Sequence, residues 1–226
     1  MLTSLGDIDW FPVFLSLRVA GIATLLAVLI GIPAAWFLSR ANFRGKNLVE
    51  AVILLPIILP PTVLGYYLLV TIGRQSLISR WLLDPLGIDI VFTWRAAVLA
   101  SMIVAVPLVI RAAQASFEAM DPNLTAAART LGRSELAIFF TLNVPLAWRG
   151  ILAGTVLGFA RAMGEFGATL MVAGNIPGRT QTLPIAIYDA VQSGNNDLAN
   201  GLVIILSAAA IAVLVLIGRL SWNGRW

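Results

Sequence analysis

The sequence contains no cysteine and no histidine, and charged residues make up only 12% of its 226 positions. Without cysteine the chain can form neither disulfides nor thiolate metal sites, and without histidine it lacks the commonest metal ligand and general base. A soluble domain usually carries about 25% charged residues. With 59% hydrophobic residues and a mean hydropathy of +0.92, the chain has too little polar surface to cover a water-soluble globule. The composition therefore indicates an integral membrane protein.

Apolar runs that are about as long as a bilayer is thick mark the predicted spans. Crossing a bilayer core takes about 20 apolar residues. Four uncharged runs have this length or reach it with their flanking residues, and a fifth segment is interrupted by Arg161 and Glu165. The predicted spans are residues 14–38, 49–72, 93–114, 148–174 and 198–218, within one membrane domain covering residues 1–226. The predicted fold class is an all-α integral membrane protein with five transmembrane helices.

The distribution of Lys and Arg between the connections predicts the orientation, because cytoplasmic connections carry an excess of these residues. With the N-terminus outside, nine of the cations in the connections fall on the cytoplasmic side and four on the outer side, while Arg18, just before the first uncharged run, argues mildly the other way. The nine are Arg40, Arg44, Lys46, Arg111, Arg129, Arg133, Arg149, Arg219 and Arg225, and the four are Arg74, Arg80, Arg95 and Arg179. The sequence therefore predicts an external N-terminus and a cytoplasmic C-terminus, with residues 115–147 as a cytoplasmic loop.

Within this loop the segment DPNLTAAARTLGRS, residues 121–134, predicts a short helix. Asp121 is a favoured N-cap, Pro122 is favoured at the first helical position, and alanine favours the interior. Gly132 is suited to ending the helix. Alanine and glycine let another protein surface approach closely, so the helix is either an ordinary amphipathic connection or a docking element.

The second predicted span contains several prolines, in LLPIILPPTVLGYYLL, residues 54–69. Each proline lacks a backbone N–H and clashes with the carbonyl four residues earlier, so the helix must kink or open. Carbonyls freed in a bilayer are tolerated only where protein or a water-filled cavity satisfies them. Pro60, Pro61 and Thr62 are therefore candidates for a transport pathway or gate, and the alternative is a structural kink packed by neighbouring helices.

The segment FARAMGEFGAT, residues 159–169, carries Arg161 and Glu165 four residues apart. We expect both on one helical face, deep in the fourth span. A charge at such depth costs at least a few kcal/mol and normally faces a partner or a cavity. The order Arg before Glu is the weaker one in an isolated helix, so tertiary partners are expected. The pair is either an internal ion pair that holds helices together or part of a gate.

The spacing within AARTLG and LNVP, residues 127–145, resembles the cytoplasmic signature of bacterial ABC import permeases. In that family this loop is the coupling helix, which sits in a cleft of the ATPase subunit. Glutamate usually heads the motif, whereas this chain has alanine there. The resemblance implies a coupling role for Ala126, Ala127, Ala128, Arg129, Leu131, Gly132 and Pro145.

Taken together, LPPTVLGYYLL, ARTLG with FFTLNVP, ARAMGEFGAT and NIPGRTQTLPIAIY are similar to the membrane subunit of bacterial molybdate ABC importers, over residues 14–217. The resemblance implies a type I importer permease fold in the bacterial inner membrane, in contact with lipid and not with nucleic acid. It also implies a homodimer with the pathway on its two-fold axis, two ATPase subunits, and a periplasmic or surface molybdate-binding protein. Sulfate and thiosulfate permeases have a similar Gly-Glu-Phe-Gly segment, so a sulfate- or tungstate-type oxyanion permease is the alternative.

The alternatives to a transporter subunit are a membrane enzyme and a passive channel or scaffold. The sequence has no complete phosphate-binding loop, since the fragment at Gly45 and Lys46 lacks the leading glycine and the hydroxyl. We therefore expect no cofactor on this chain, with ATP bound by a partner ATPase. A membrane enzyme would need an acid–base or metal constellation, and Glu165 is the only carboxylate deep in a predicted span, so no catalytic or metal site is predicted. A passive channel or a scaffold would have no use for a coupling loop.

Overall fold

The computed structural model describes residues 9–73, 75–83, 87 and 89–222. Helices dominate this part of the chain, and no strand occurs within these ranges, so the predicted all-α class is confirmed. Two cations used to predict the orientation, Arg74 and Arg225, lie outside the described residues. The helices are α1 (Phe11–Arg40), α2 (Lys46–Ile58), α3 (Pro61–Ile72), α4 (Trp94–Glu118), α5 (Pro122–Thr130), α6 (Glu135–Ile138), α7 (Val144–Met163), α8 (Gly167–Ala173), α9 (Leu183–Gln192) and α10 (Asn196–Trp222).

Four helical stretches in the described residues are long and apolar enough to cross a membrane. These are α1, α4, the stretch Glu135–Met163 and the stretch Asn196–Val213. Helices α2 and α3 qualify only together, and they are bent by 111° at the break between them. Both a broken span and a re-entrant loop have this shape, so the count of five spans stays a prediction.

The centre of the bundle consists of α1, α4 and α7, with α4 packed against both of the others. Ala20, Ala23 and Ala27 of α1 are completely buried, at the spacing that places residues on one helical face. In a membrane, helices associate mainly through close van der Waals packing, which small residues allow. The alanine-rich interface thus explains why α1 and α4 lie so close together.

Glycines at intervals of four residues bring α7 against α4. A Cβ atom at Gly150 would lie 1.6 Å from Oγ of Ser116, and one at Gly154 would lie 2.8 Å from Cβ of Ala112. The two backbones therefore approach so closely that only hydrogen fits at these positions. This stripe was not predicted, although its small-residue spacing is the usual signal for such contacts.

Helices α1 and α4 run in the same direction. Their last residues, Arg40 and Glu118, lie near α5, whereas Arg18 of α1 contacts Trp94 at the start of α4. The bundle therefore has one end that carries α5 and an opposite end where α1 and α4 begin.

Candidate coupling and pathway site

Helix α5 is capped at both ends by hydrogen bonds that its local sequence provides. Oδ1 of Asp121 accepts the N–H of Asn123 at 2.9 Å, which confirms the predicted N-cap. Leu131 is the C-cap residue, and Gly132 follows it with a φ of +77°. The N–H groups of Gly132 and Arg133 donate to carbonyls in the last turn at 2.9 and 3.2 Å, which is the Schellman arrangement. The predicted helix is confirmed, and glycine is required because its φ is positive.

No residue of α5 is buried. Ala126 and Ala127 are exposed, Ala128 is half-buried, and Leu131 is 82% exposed. Apolar surface continues beyond the helix through Leu136 and Phe140, whereas Pro145 lies in the first turn of α7. Several large exposed apolar side chains in one short segment are typical of a contact with another protein or with lipid.

Glu135 ties α5 to the end of α1. Its carboxylate accepts hydrogen bonds from Nε and Nη2 of Arg129, the second at 3.2 Å, and from Nη1 of Arg40 at 3.0 Å. Nη2 of Arg40 also donates to the hydroxyl of Thr125 at 3.3 Å. The hydrogen bond and the charge of Glu135 raise the pKa of Arg129. Because α5 buries no side chain, these polar contacts fasten it to the bundle.

Sequence reasoning named Arg129 but missed Glu135, which accepts its hydrogen bonds, and Arg40, which donates to the same carboxylate. Glu135 follows the turn that ends α5, and Arg40 is 95 positions away from it in the sequence. Neither separation gives a periodic signal, so only the folded chain brings the three side chains together.

The prolines of the second predicted span separate α2 from α3. Helix α2 ends at Ile58, Pro60 is the N-cap of the next helix with an extended ψ of 136°, and α3 starts at Pro61. Pro60, Pro61 and Thr62 are all exposed. The expectation that prolines open this helix is confirmed, and the opening is a 111° bend.

Arg161 and Glu165 do not share a helical face, and that expectation is wrong. Helix α7 ends at Met163, and α8 starts at Gly167, so Glu165 lies in the break between them. Oε2 of Glu165 accepts Nη1 of Arg161 at 2.7 Å, and Oε1 accepts the N–H of Ala168 at 3.0 Å. That N–H is available only because α8 begins there, since the first N–H groups of a helix lack a partner within it. The carboxylate thus stabilises the break.

Burial differs sharply between the two partners. The side chain of Glu165 is 1% exposed, whereas that of Arg161 is 35% exposed. The carboxylate is therefore enclosed by protein, while the arginine side chain keeps part of its surface exposed. This asymmetry favours a structural role for Glu165 and an accessible positive charge at Arg161.

The two helix breaks meet in the fold, because α3 packs against α8. A Cβ atom at Gly167 would lie 2.8 Å from Cβ of Pro61, and one at Gly65 would lie 2.5 Å from Cβ of Met171. The candidate pathway residues Pro61 and Glu165 are thus brought close to each other, since Gly167 is two positions after Glu165. The candidate coupling residues form a separate group on and near α5.

Comparison with known proteins identifies the family. The model of the family described as binding-protein-dependent transport system inner membrane component matches residues 27–221. The chain is 44% identical to the molybdenum transport system permease protein ModB of Escherichia coli K12, over 98% of this chain and 96% of that protein. It is 49% identical to ModB of Haemophilus influenzae, over 79% of this chain and 78% of that protein.

Solved structures show the same fold at lower identity. A structure of the MetNI methionine ABC transporter in an inward-facing conformation matches with a TM-score of 0.74 at 17% identity, over 99% of this chain and 100% of that chain. A bacterial ABC transporter that imports alginate matches with a TM-score of 0.75 at 13% identity, over 99% and 82%. The predicted importer permease fold is confirmed. With this fold and the family match, the chain belongs to the multi-pass inner membrane components of binding-protein-dependent transport systems.

Proposed function

We propose that this chain is the membrane subunit of an ATP-driven importer that carries molybdate across the bacterial inner membrane. The observation that carries the proposal is 44% identity over nearly the full length of a protein named as a molybdenum transport permease. The chain is a transport subunit and not an enzyme, because its family and its relatives are permeases. ATP is bound and hydrolysed by a separate ATPase subunit.

The exposed helix α5 is the proposed contact with that ATPase. Ala126, Ala127 and Gly132 keep the surface flat, so a partner can close over the helix, and Leu124 and Leu131 supply apolar area. The chain passes from α4 into α5 and returns to α7 through two short helical turns. A displacement of α5 is therefore passed to two central helices as a rigid-body movement.

The paired helix breaks are the proposed pathway or gate, formed by Pro60, Pro61, Thr62, Arg161 and Glu165. Interrupted helices let backbone groups face a polar cavity inside the membrane. The accessible guanidinium of Arg161 suits an anion, and the neighbouring carboxylate weakens its attraction. A pathway needs such weak sites, because a tightly bound ion does not leave.

The proposed assembly is a homodimer of this chain with two ATPase subunits and a molybdate-binding protein on the outer side. At most five spans in the described residues are few to enclose a polar pathway alone, which favours a second copy. A related alginate transporter has been solved in complex with its periplasmic protein. The external N-terminus belongs to this proposal and rests on the Lys and Arg asymmetry.

Uptake by the reconstituted complex tests the proposal. Permease, ATPase and binding protein are placed in liposomes, and molybdate accumulation is measured with and without ATP and with equal tungstate or sulfate as competitor. We expect accumulation that requires ATP and that equal sulfate leaves unchanged. Flux without ATP would instead identify a passive channel, and equal inhibition by sulfate would favour the general oxyanion permease.

A further inference from the structure

Two arginines converge on one tryptophan at the end of the bundle opposite α5. Cζ of Arg18, in α1, lies 4.1 Å from the ring centroid of Trp94, and Cζ of Arg95 lies 5.9 Å from the same centroid. The Cζ atoms of Arg18 and Arg95 therefore lie at most about 10 Å apart, which is the sum of the two distances. Cation–π attraction holds each guanidinium group near the ring.

Neither Arg18 nor Arg95 forms an ion pair with a carboxylate in the part of the chain that the structure describes. Both residues are exposed. Two cations without a carboxylate partner at one place make an anion the complementary ligand. The start of the 25-residue helix α4, at Trp94, adds the positive end of its dipole at the same place. Other arginines of the bundle do have glutamate partners, namely Arg40, Arg111, Arg129 and Arg161.

The depth of the two arginines matches a lipid headgroup. Arg18 precedes Arg40 by 22 positions in α1, and Arg95 precedes Glu118 by 23 positions in α4. At about 1.5 Å per residue these separations span roughly 33–35 Å, whereas the hydrocarbon core is about 30 Å thick. When Arg40 and Glu118 lie at one membrane surface, both cations therefore lie at the other. Tryptophan is also enriched at this level.

An open apolar track leads from Arg18 toward the middle of the bilayer. Gly21, Leu25 and Leu29 follow it at intervals of three and four residues, so they share its helical face. The two leucines are 59% and 61% exposed, and a Cβ atom at Gly21 would meet nothing within 4 Å. A positive site above an unoccupied apolar track fits a phosphate group attached to an acyl chain better than a free oxyanion.

We propose that Arg18, Trp94 and Arg95 form a binding site for the phosphate group of one phospholipid, whose acyl chain lies along Gly21 and Leu25. Both guanidinium groups donate to phosphate oxygens, in the charge-assisted geometry that arginine favours. The ring of Trp94 restricts both side chains, so less conformational freedom is lost on binding. Under the predicted orientation, this lipid belongs to the outer leaflet.

Native mass spectrometry of the purified permease complex tests the site by counting retained phospholipids. Three variants are compared with the wild type: the double variant Arg18→Gln/Arg95→Gln, the single variant Gly21→Leu, and the single variant Arg179→Gln. Arg179 is the control, because it is a cation on the same predicted side of the membrane. The first variant removes the charges and the second fills the track, where nothing within 4 Å opposes a side chain. We expect each of them to lose one phospholipid per permease chain, and the control to keep it. A thermal unfolding scan of every variant in excess lipid confirms that it is folded.

Added ligands show whether the site binds the phosphate group of a phospholipid or a free oxyanion. Dioleoylphosphatidylglycerol should raise the unfolding temperature of the delipidated wild-type complex but not that of the double arginine variant, and inorganic phosphate or molybdate should have no such effect. Equal protection by either free oxyanion would overturn the lipid assignment. Unchanged lipid retention in the double variant would overturn the site itself. Retention unchanged together with loss of binding-protein-stimulated ATP hydrolysis would show that this surface docks the binding protein.

Discussion

The carboxylate of Glu165 is the most enclosed charge in the described part of the chain, and it has two partners. Breaking a buried pair by removing one partner costs about 3–5 kcal/mol, because the other charge is left uncompensated. The cost depends on which charge remains. Loss of Arg161 leaves the enclosed carboxylate, whereas loss of Glu165 leaves an arginine side chain that is already partly exposed.

Arg161→Ala should therefore lower the unfolding temperature of the purified complex more than Glu165→Ala, and the double variant should recover part of the loss. Glu165→Ala should still reduce assembly or separate ATP hydrolysis from transport, because it unfastens the start of α8 from Arg161. Thermal unfolding and the ratio of molybdate transported to ATP hydrolysed measure the two effects. Two silent single variants would show that this pair is not important for either property.

The ion pairs of Glu135 are exposed, so its substitution should affect coupling and not stability. Exposed pairs contribute about 0–1 kcal/mol, so Glu135→Gln should leave the unfolding temperature nearly unchanged. We expect the ATPase to stay bound through the apolar face of α5, while the number of molybdate ions transported per ATP falls. Arg133→Gln is the matched control, since Arg133 is exposed beside the same turn. Unchanged coupling in Glu135→Gln would show that the link from Arg40 to α5 carries no movement.

The contact that helix α5 makes with the ATPase should depend on the size of its side chains and not on their polarity. Ala127→Trp should reduce the amount of ATPase retained on tagged permease and abolish transport, since its exposed side chain would hold the two proteins apart. Gly132→Trp should do the same, although its φ of +77° adds backbone strain, so Ala127 is the cleaner position. Asn47→Trp, on exposed surface of α2, is the control and should be much milder, and Ala126→Glu should be tolerated. Normal retention and transport in Ala127→Trp would make α5 a simple connection.

The contact between α4 and α7 gives a second helix-scale prediction. Gly154→Val should destabilise the permease by about 1–3 kcal/mol, because its new side chain would overlap Ala112 and force the helices apart. Gly21→Val is the matched control when both variants are delipidated, since both glycines are helical but Gly21 faces open space. Unfolding in the same detergent compares the two. Equal effects would mean that helix propensity, and not the close approach, limits substitution.

For the whole molecule, the absence of native cysteine allows a direct test of the predicted orientation. A cysteine in place of Ser134 should react with an impermeant thiol reagent only from the cytoplasmic side, and one in place of Asn195 only from outside. Both positions are exposed, so access depends on the membrane side alone. The reverse labelling pattern would invert the proposed assembly and move the phospholipid site to the inner leaflet.

The sequence by itself determined those features that depend on local chemistry or composition. The low content of charged residues indicated a membrane protein. A capping aspartate, a proline at the first helical position and an alanine-rich interior predicted α5 with its correct N-cap. The prolines at 60 and 61 predicted an opened helix because proline lacks the N–H that a continuous helix needs. The spacing of the loop motif identified the family, because the residues of that motif lie within one short segment.

Only the tertiary structure decided which distant groups meet. Arg40 donates to Glu135, Pro61 packs on Gly167, and Arg18 lies over the ring of Trp94, although the two residues of each pair are far apart in the sequence. The break at Glu165 also escaped prediction, since a carboxylate four residues after an arginine fits a continuous helix equally well. Such contacts depend on how closely whole helices pack, and that distance is set by small residues along their full length rather than by any one motif.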